Sequence, residues 1–185
     1  LYKSKILPPL TTVNGKVIHR DWDYLQYFIN EARRLGLKVT VSTAMFPSGH
    51  PATNEGLVYE ESRWDGKTCL EYTPDGKMLD IREDKKKVGA FLNPVRKDVR
   101  KFALSIGREI VKNYDVDAYA LDYCRYPGDD SDFSADSHKA FEHYLGKKVR
   151  NFPDNIFTWN ADGTKNPGVY YKEWWAFRAN VITSF

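Results

Sequence analysis

The sequence predicts an α/β fold in which helices cover parallel strands, and two observations predict it. A helical pattern at residues 21–36 leads through one glycine into an apolar strand, and a second helical pattern leads through Asn113 into another strand. The order helix, strand, helix, strand favours parallel strands joined by helical crossovers. Long loops follow both strands, whereas the connections from helix to strand are short, as in α/β proteins whose functional residues lie at the carboxyl ends of the strands.

The first helix is expected to start from Asp21 as N-cap and to end at Gly36, which suits a left-handed C-terminal residue. The residues 37–46 that follow are rich in β-branched side chains and predict a buried strand. In the long excursion that comes next, residues 68–81 predict a β-hairpin turning at Pro74-Asp75-Gly76. The expected buried stripe of the first helix is Trp22, Leu25, Phe28, Ile29, Ala32 and Leu35.

The second helix is expected to open with Asn93 as N-cap and Pro94 as its first residue, before the strand Asp115–Asp122. A further helix is expected near Ser137–Lys148, with Phe141, Tyr144 and Leu145 buried, followed by an irregular stretch to Val169. A last helix closes the pattern. Its expected stripe is Trp174, Phe177, Arg178, Val181, Ile182 and Phe185.

Composition narrows the class of protein. The 185 residues suffice for one domain with a sizeable core, and the net charge of +3, with basic and acidic residues interleaved, argues against a nucleic-acid surface. Aromatic residues make up 15%, a share that suits either a sugar-binding cleft or a well-filled core. We see no membrane span, and two cysteines form no disulfide framework. Since the chain starts at Leu1 without an initiator Met, we expect a segment cut from a longer protein, with no second domain.

Asp122 is the sharpest candidate for chemistry because it closes an apolar strand. Such a carboxylate is expected to be desolvated and to need a partner or a function. Arg125, three residues on, could hold it ionised. Glycoside hydrolysis needs one such carboxylate as nucleophile or base and a second, protonated one as acid. The alternative is an Asp–Arg pair that fixes the loop, and Asp117 at the start of the same strand is expected to be structural.

Five residues are candidates for substrate contact, and Arg125 is the first of them. Tyr123 and Tyr126 flank Arg125 and either line a sugar subsite or pack the loop. His50 follows the first strand and could hydrogen-bond a substrate hydroxyl, or be an ordinary surface residue. Asn93 is fully explained as a helix cap, a role that any substrate contact must share.

We predict no cofactor and no metal. The acidic residues between 129 and 136 lack the spacing of a calcium loop and are interpreted as a polar loop leading to a helix cap. The four histidines show no zinc-ligand spacing, and the sequence has no glycine-rich phosphate loop.

The segment AFLNPVRKDVRKFALSIGREIVKNYDVDAYALDYCRYP resembles the hallmark of the family-ten-like glycosyl hydrolases, a TIM-barrel group of bacteria. LYKSKILP, EARRLGLKV, DFSADSHKAFEHYLGKKVRNFPDNI and YYKEWWAFRANVITSF match as well, so the resemblance covers nearly the whole chain.

The resemblance implies a partial (β/α)8 barrel, from its second to its fourth helix, with long strand-to-helix loops. It places Asp122 at the end of the fourth strand, where related barrels carry a nucleophilic Asp. It further implies a carbohydrate substrate, such as a polysaccharide or cell-wall glycan, and a secreted, periplasmic or lipid-anchored bacterial protein. Ala118 stands where the family often has Gly, and STAMFPSGH replaces its usual strand ending.

These features predict a glycoside hydrolase in which Asp122 is the nucleophile or transition-state stabiliser. Its acid partner is expected from a later strand outside this chain, unless the loop acid Asp132 serves. A non-catalytic glycan-binding or scaffold protein on the same barrel is the alternative. A metal-dependent deacetylase is disfavoured because the ligand spacing is missing.

Overall fold

A computed structural model describes residues 2–13, 15–18 and 21–185. The described residues form five α-helices: α1 Tyr24–Arg34, α2 Leu57–Glu60, α3 Lys97–Asn113, α4 Ala135–Leu145 and α5 Tyr171–Thr183. The strands are β1 Thr12–Val13, β2 Lys16–Val17, β3 Thr40–Ala44, β4 Leu70–Tyr72, β5 Met78–Asp80, β6 Ala118–Asp122, β7 Phe157–Trp159 and β8 Lys165–Pro167. They group into two compact units, residues 1–45 with 101–123, and residues 46–100 with 124–185.

The first unit contains the parallel strand pair that the sequence predicts. β3 and β6 run parallel, in a register that extends from Thr40 opposite Ala118 to Ala44 opposite Asp122. Helices α1 and α3 cover one side of this pair. The core there is formed by Ile29, Ala32, Val39, Ile110 and Tyr114, with Val41 and Tyr119 of the strands packed against it.

Helix α1 is shorter than predicted and buries less of its stripe. Asp23, not Asp21, is the N-cap, and its Oδ1 accepts a hydrogen bond of 3.0 Å from the Gln26 amide. The ending at Gly36 is confirmed, with φ at +71°. Ile29 and Ala32 are buried, but Trp22, Phe28 and Leu35 are exposed. Helical spacing shows which residues share a face, not how much of that face a neighbour covers.

The second unit contains the predicted hairpin and a second one that was not predicted. β4 and β5 pair antiparallel, and Gly76 in their turn has φ +77°. β7 and β8 form an antiparallel pair inside the stretch predicted to be irregular. Helix α4 begins earlier than predicted, because Ser134 caps it by accepting from the Ser137 amide. Tyr144, predicted to be buried there, is exposed.

An aromatic core holds the second unit together. Trp174 stacks on Phe133 with ring centroids 5.1 Å apart and meets Phe141 edge-on at 4.9 Å. Stacked and edge-on rings of this kind add to the free energy gained by burying their area. The buried members are Tyr72, Tyr126, Phe133, Phe141, Val149, Ile156, Phe157, Trp174, Phe177 and Val181.

Helix α3 begins at Lys97, three residues after the predicted start at Pro94. Asn93 does cap this segment, but it caps a turn: its Oδ1 accepts from the Val95 amide at 3.0 Å, and its carbonyl accepts from the Arg96 amide. The helix follows that turn.

An ion-paired carboxyl at the start of α3, that of Asp98, should make the free energy of unfolding depend on pH. Partial burial raises the pKa of the Asp98 carboxyl, but hydrogen bonds and charge from Lys67 and Arg96 outweigh it and hold the pKa at about 2. Because the folded-state pKa lies below the unfolded one, this stabilisation is present above pH 4 and is lost as the pH falls towards 2. Asp98→Asn should therefore remove about 0.5–1 kcal/mol of the stability difference between pH 6 and pH 3, an amount reduced by solvent screening. Urea unfolding at the two pH values measures it, and an unchanged difference would contradict the assignment.

In the part of the chain that the structure describes, none of the helices has the length and apolarity to cross a bilayer.

Candidate active site

Asp122 lies at the carboxyl end of β6, on the side of the strand pair that faces away from the helices. Side chains alternate along a strand, and Val41 and Tyr119 point to the helical core, so Asp122 shares the opposite face with Ala44, its partner in register. The other members of that face are Thr40, Ser42, Ala118 and Ala120. Since all of these are small, the carboxylate stands on an open surface.

The carboxylate of Asp122 is exposed, contrary to the predicted desolvation. The premise was wrong because β6 itself is largely exposed, Leu121 included, so a strand that looks apolar in sequence is not buried here. Oδ1 accepts a 2.8 Å hydrogen bond from the Tyr123 amide. Oδ2 makes no hydrogen bond with the described residues, which leaves one carboxylate oxygen for a substrate.

Tyr123 adopts a backbone conformation that is rare for its residue type. Its φ of +46° is in the left-handed region, which bulky side chains seldom occupy. Such strained residues cluster at functional sites. The amide of this residue donates to the carboxylate of Asp122, and the Tyr123 ring is exposed.

Arg125 and His50 belong to the second unit. Nη1 of Arg125 donates to the carbonyl oxygens of Tyr126 and Pro127, at 3.0 and 3.3 Å, and the guanidinium lies 5.7 Å from the ring centre of Phe91. Its pairing with Asp122 stays a prediction. His50 is exposed, and its backbone is fixed in a turn in which its amide donates to the Glu55 carbonyl at 2.8 Å and its carbonyl accepts from the Asn54 amide at 2.9 Å. Contact with substrate stays a prediction for both.

Tyr126 and Asn93 are buried. Their positions agree with the structural alternatives, which are packing of the loop for Tyr126 and capping for Asn93. The Tyr126 ring is buried under the guanidinium of Arg178, 4.4 Å from its centre, and burial raises the pKa of its phenol. The Asn93 side chain is buried and donates to Asp132 Oδ2 at 2.6 Å and to Ser134 Oγ at 2.9 Å. Any role of Tyr126 and Asn93 in substrate binding is a proposal, in which they would support the surface loops from the interior.

Asp132 is not available as the acid partner, which corrects the fallback drawn from the sequence. Its side chain is fully buried and accepts hydrogen bonds from five groups. Burial raises the pKa of this carboxyl, and the donors oppose that rise. They are the Leu70 amide, the Ser134 amide and hydroxyl, the Ser137 hydroxyl and the Asn93 amide group. The carboxylate therefore ties β4, the turn before α3 and the start of α4 together.

The other acidic residues between positions 129 and 136 each pair with a different basic residue. Asp129 pairs with Lys165, Asp130 with Lys87 and Asp136 with Arg96. No group of three His, Cys, Asp or Glu side chains among the described residues could hold a metal ion, and His19 lies outside those residues.

Two charged residues of the second unit are buried: Glu71, which sequence reasoning missed, and Arg178, which it placed in the stripe of the last helix. Glu71 of β4 is buried, burial raises the pKa of its carboxyl, and Lys87 forms its ion pair. Arg178 of α5 is buried as well. The signal for Arg178 was in the sequence, because it falls within the apolar stripe of its helix, one turn after Trp174.

Asp117 has the structural role expected of it. It accepts from the Val39 amide at 2.7 Å and pairs with Arg33, and these two contacts lower the pKa of its carboxyl. It therefore joins α1 to the beginnings of both strands, at the end opposite Asp122.

A parallel strand pair with helices on one side and a carboxylate at its carboxyl end defines an α/β protein with the site placement typical of α/β enzymes. The sequence profile of the family described as glycosyl hydrolase-like 10 matches residues 1–185, and the chain belongs to this family. It is also 37% identical over 170 residues to an S-layer-related protein of Niallia circulans. That match covers 89% of this chain and 10% of the relative, so the chain spans about a tenth of that protein's length.

Proposed function

We propose that the chain contributes the nucleophile, or transition-state stabiliser, of a glycoside hydrolase acting on a poly- or oligosaccharide. The observation that carries the proposal is the exposed carboxylate of Asp122 at the carboxyl end of β6, with Oδ1 held by the Tyr123 amide. Membership of a glycosyl hydrolase-like family supports it. The strand pair would belong to an eight-stranded barrel completed by other parts of the protein.

The residues around Asp122 have distinct roles in this proposal. The Tyr123 amide holds Oδ1, so Oδ2 would be the oxygen that faces an anomeric carbon. The exposed Tyr123 ring would stack on a sugar, while Arg125 and His50 would hydrogen-bond its hydroxyl groups. Tyr126 and Asn93 would support the loops from the interior. The acid that protonates the leaving oxygen would come from outside this chain, since Asp132 is fully engaged.

The reported relative supports the substrate class and the location in this proposal. A match to an S-layer-related protein supports a secreted or surface-bound bacterial protein that meets cell-wall glycan or another external polysaccharide.

A non-catalytic glycan-binding or scaffold protein is the second candidate. Two observations favour it: Asp132 cannot supply the second carboxylate, and the relative is named for the surface layer and not for a reaction. In that case Asp122 would contact sugar hydroxyls without forming a bond to carbon.

Incubation of the full-length protein with bacterial cell-wall glycan and with soluble polysaccharides separates the two candidates. The enzyme is expected to release new reducing ends, and Asp122→Asn is expected to abolish the release while binding persists. Retention of the glycan with no cleavage by the wild-type protein would favour the scaffold.

A further inference from the structure

Buried polar atoms without partners concentrate at one place in the second unit. Among the described residues they are the Tyr126 hydroxyl, the Ser131 hydroxyl, the Trp174 indole nitrogen, and Nε and Nη1 of Arg178. The one other such atom in that part of the chain, Oε1 of Glu71, belongs to the ion pair with Lys87. Buried polar groups are nearly always hydrogen-bonded, and each exception calls for an explanation. Five such atoms within two short segments, 126–131 and 174–178, point to a common cause.

The two segments that carry these side chains contact each other. Trp174 and Arg178 lie one turn apart on the same face of α5. The Arg178 guanidinium lies 4.4 Å from the Tyr126 ring centre, and its Nη2 donates to the Gly128 carbonyl. Tyr126 and Trp174 belong to one core cluster. Ser131 is two residues before Phe133, the ring that stacks on Trp174.

All five atoms can donate, and one of the groups is charged. The Arg178 side chain is only 6% exposed and forms no salt bridge with residues 2–13, 15–18 or 21–185. An arginine cannot lose its proton in a protein. The rings of Tyr126 and Trp175, each 4.4 Å away, stabilise the cation in part. Burial lowers the pKa of this guanidinium, and the more distant carboxylates of Asp129 and Asp132 oppose that shift without an ion pair.

We propose that a small monovalent anion, chloride in solution, occupies the interior between Arg178, Tyr126, Ser131 and Trp174. A buried cation that lacks a direct counter-charge is costly, and a halide would neutralise it while accepting from the hydroxyl and indole donors. A water molecule would satisfy the donors but leave the charge. The anion would tie the loop after β6 to α5, and this role does not depend on the proposed glycosidase activity.

Crystals of the full-length protein grown in sodium bromide test the site directly. We expect a bromine anomalous peak in contact with Nε or Nη1 of Arg178. A water molecule in that position, or a bromide bound only elsewhere, overturns the proposal.

Thermal unfolding in solution gives an independent measurement. When potassium chloride replaces potassium gluconate at constant ionic strength, the melting temperature should rise with the logarithm of the chloride concentration above the Kd, by about 3–6 °C at ten times the Kd. Arg178→Met should abolish the rise, and Arg108→Met, a matched change at an exposed site of α3, should keep it. A rise that persists in Arg178→Met contradicts the proposal.

Ser131→Ala keeps the proposal testable if Arg178→Met fails to fold. It deletes one buried hydroxyl and leaves the charge in place. The chloride concentration that gives the same rise in melting temperature should increase about five-fold, as expected for one lost hydrogen bond. An unchanged concentration would show that this hydroxyl does not bind an anion and would overturn the four-residue site.

Discussion

Asp122→Asn is expected to lower kcat/KM for glycan cleavage by about 10⁴-fold, which corresponds to about 5.5 kcal/mol of transition-state stabilisation. The amide keeps the size of the side chain and can still accept from the Tyr123 amide, so the geometry of the strand end is preserved. It loses the negative charge that attacks or stabilises the anomeric carbon. Cleavage of a soluble glycan by the full-length protein measures the effect.

The fold should tolerate this change, because the Asp122 side chain is exposed. We expect the melting temperature to stay within about 2 °C of the wild-type value, as is usual for surface substitutions. Asp115→Asn is the matched control, since this exposed acid precedes the other end of β6 and pairs with Arg33. It should leave cleavage unchanged. If Asp122→Asn retains activity within a few-fold, Asp122 is not the nucleophile.

Asp132→Ala is expected to destabilise the second unit by about 3–5 kcal/mol. The substitution leaves the Leu70 amide and the hydroxyls of Ser134 and Ser137 without their acceptor, in an interior that water does not reach. Each buried donor left unpaired costs about 1–3 kcal/mol. Urea unfolding of the protein, followed by near-ultraviolet circular dichroism, measures the change in free energy.

Asp136→Ala is the control for that substitution. Asp136 lies four residues after Asp132, in the first turn of α4, is half-exposed, and pairs with Arg96. Because a solvent-exposed ion pair contributes little, this variant should lose about 1 kcal/mol or less. Equal losses in the two variants would show that the five-donor arrangement around Asp132 does not stabilise the fold.

The fold could be predicted wherever a pattern repeats over many residues. The helical periods of α1, α3 and α5, and the Asp-Gly turn at Gly76, identify their elements directly. The hairpin of β7 and β8 has strands of three residues, one of which ends in Pro167, so no period is long enough to be recognised. The choice of Asp23 over Asp21 as cap follows from backbone geometry, since either acid can cap a helix.

The candidate site was predictable only in its position along the chain. That Asp122 ends a strand could be inferred from the sequence, but its exposure depends on which surfaces cover the strand. Asp132 shows the opposite error: it lies in a run of acids typical of a solvated loop, but its side chain is buried. Its burial depends on donors from Leu70 and Asn93, some 62 and 39 positions away, and no local pattern encodes such contacts.

The distribution of tryptophan gives each unit its own optical signal. Trp22 is the single tryptophan in residues 1–45 and 101–123, and its ring is exposed, whereas Trp174 is fully enclosed by aromatic neighbours. An indole in water emits at longer wavelength than one in an apolar interior. In the variant Trp22→Phe, the tryptophan fluorescence of the chain therefore comes from the second unit alone. Loss of its aromatic core can then be followed as a red shift, separately from events around the strand that carries Asp122.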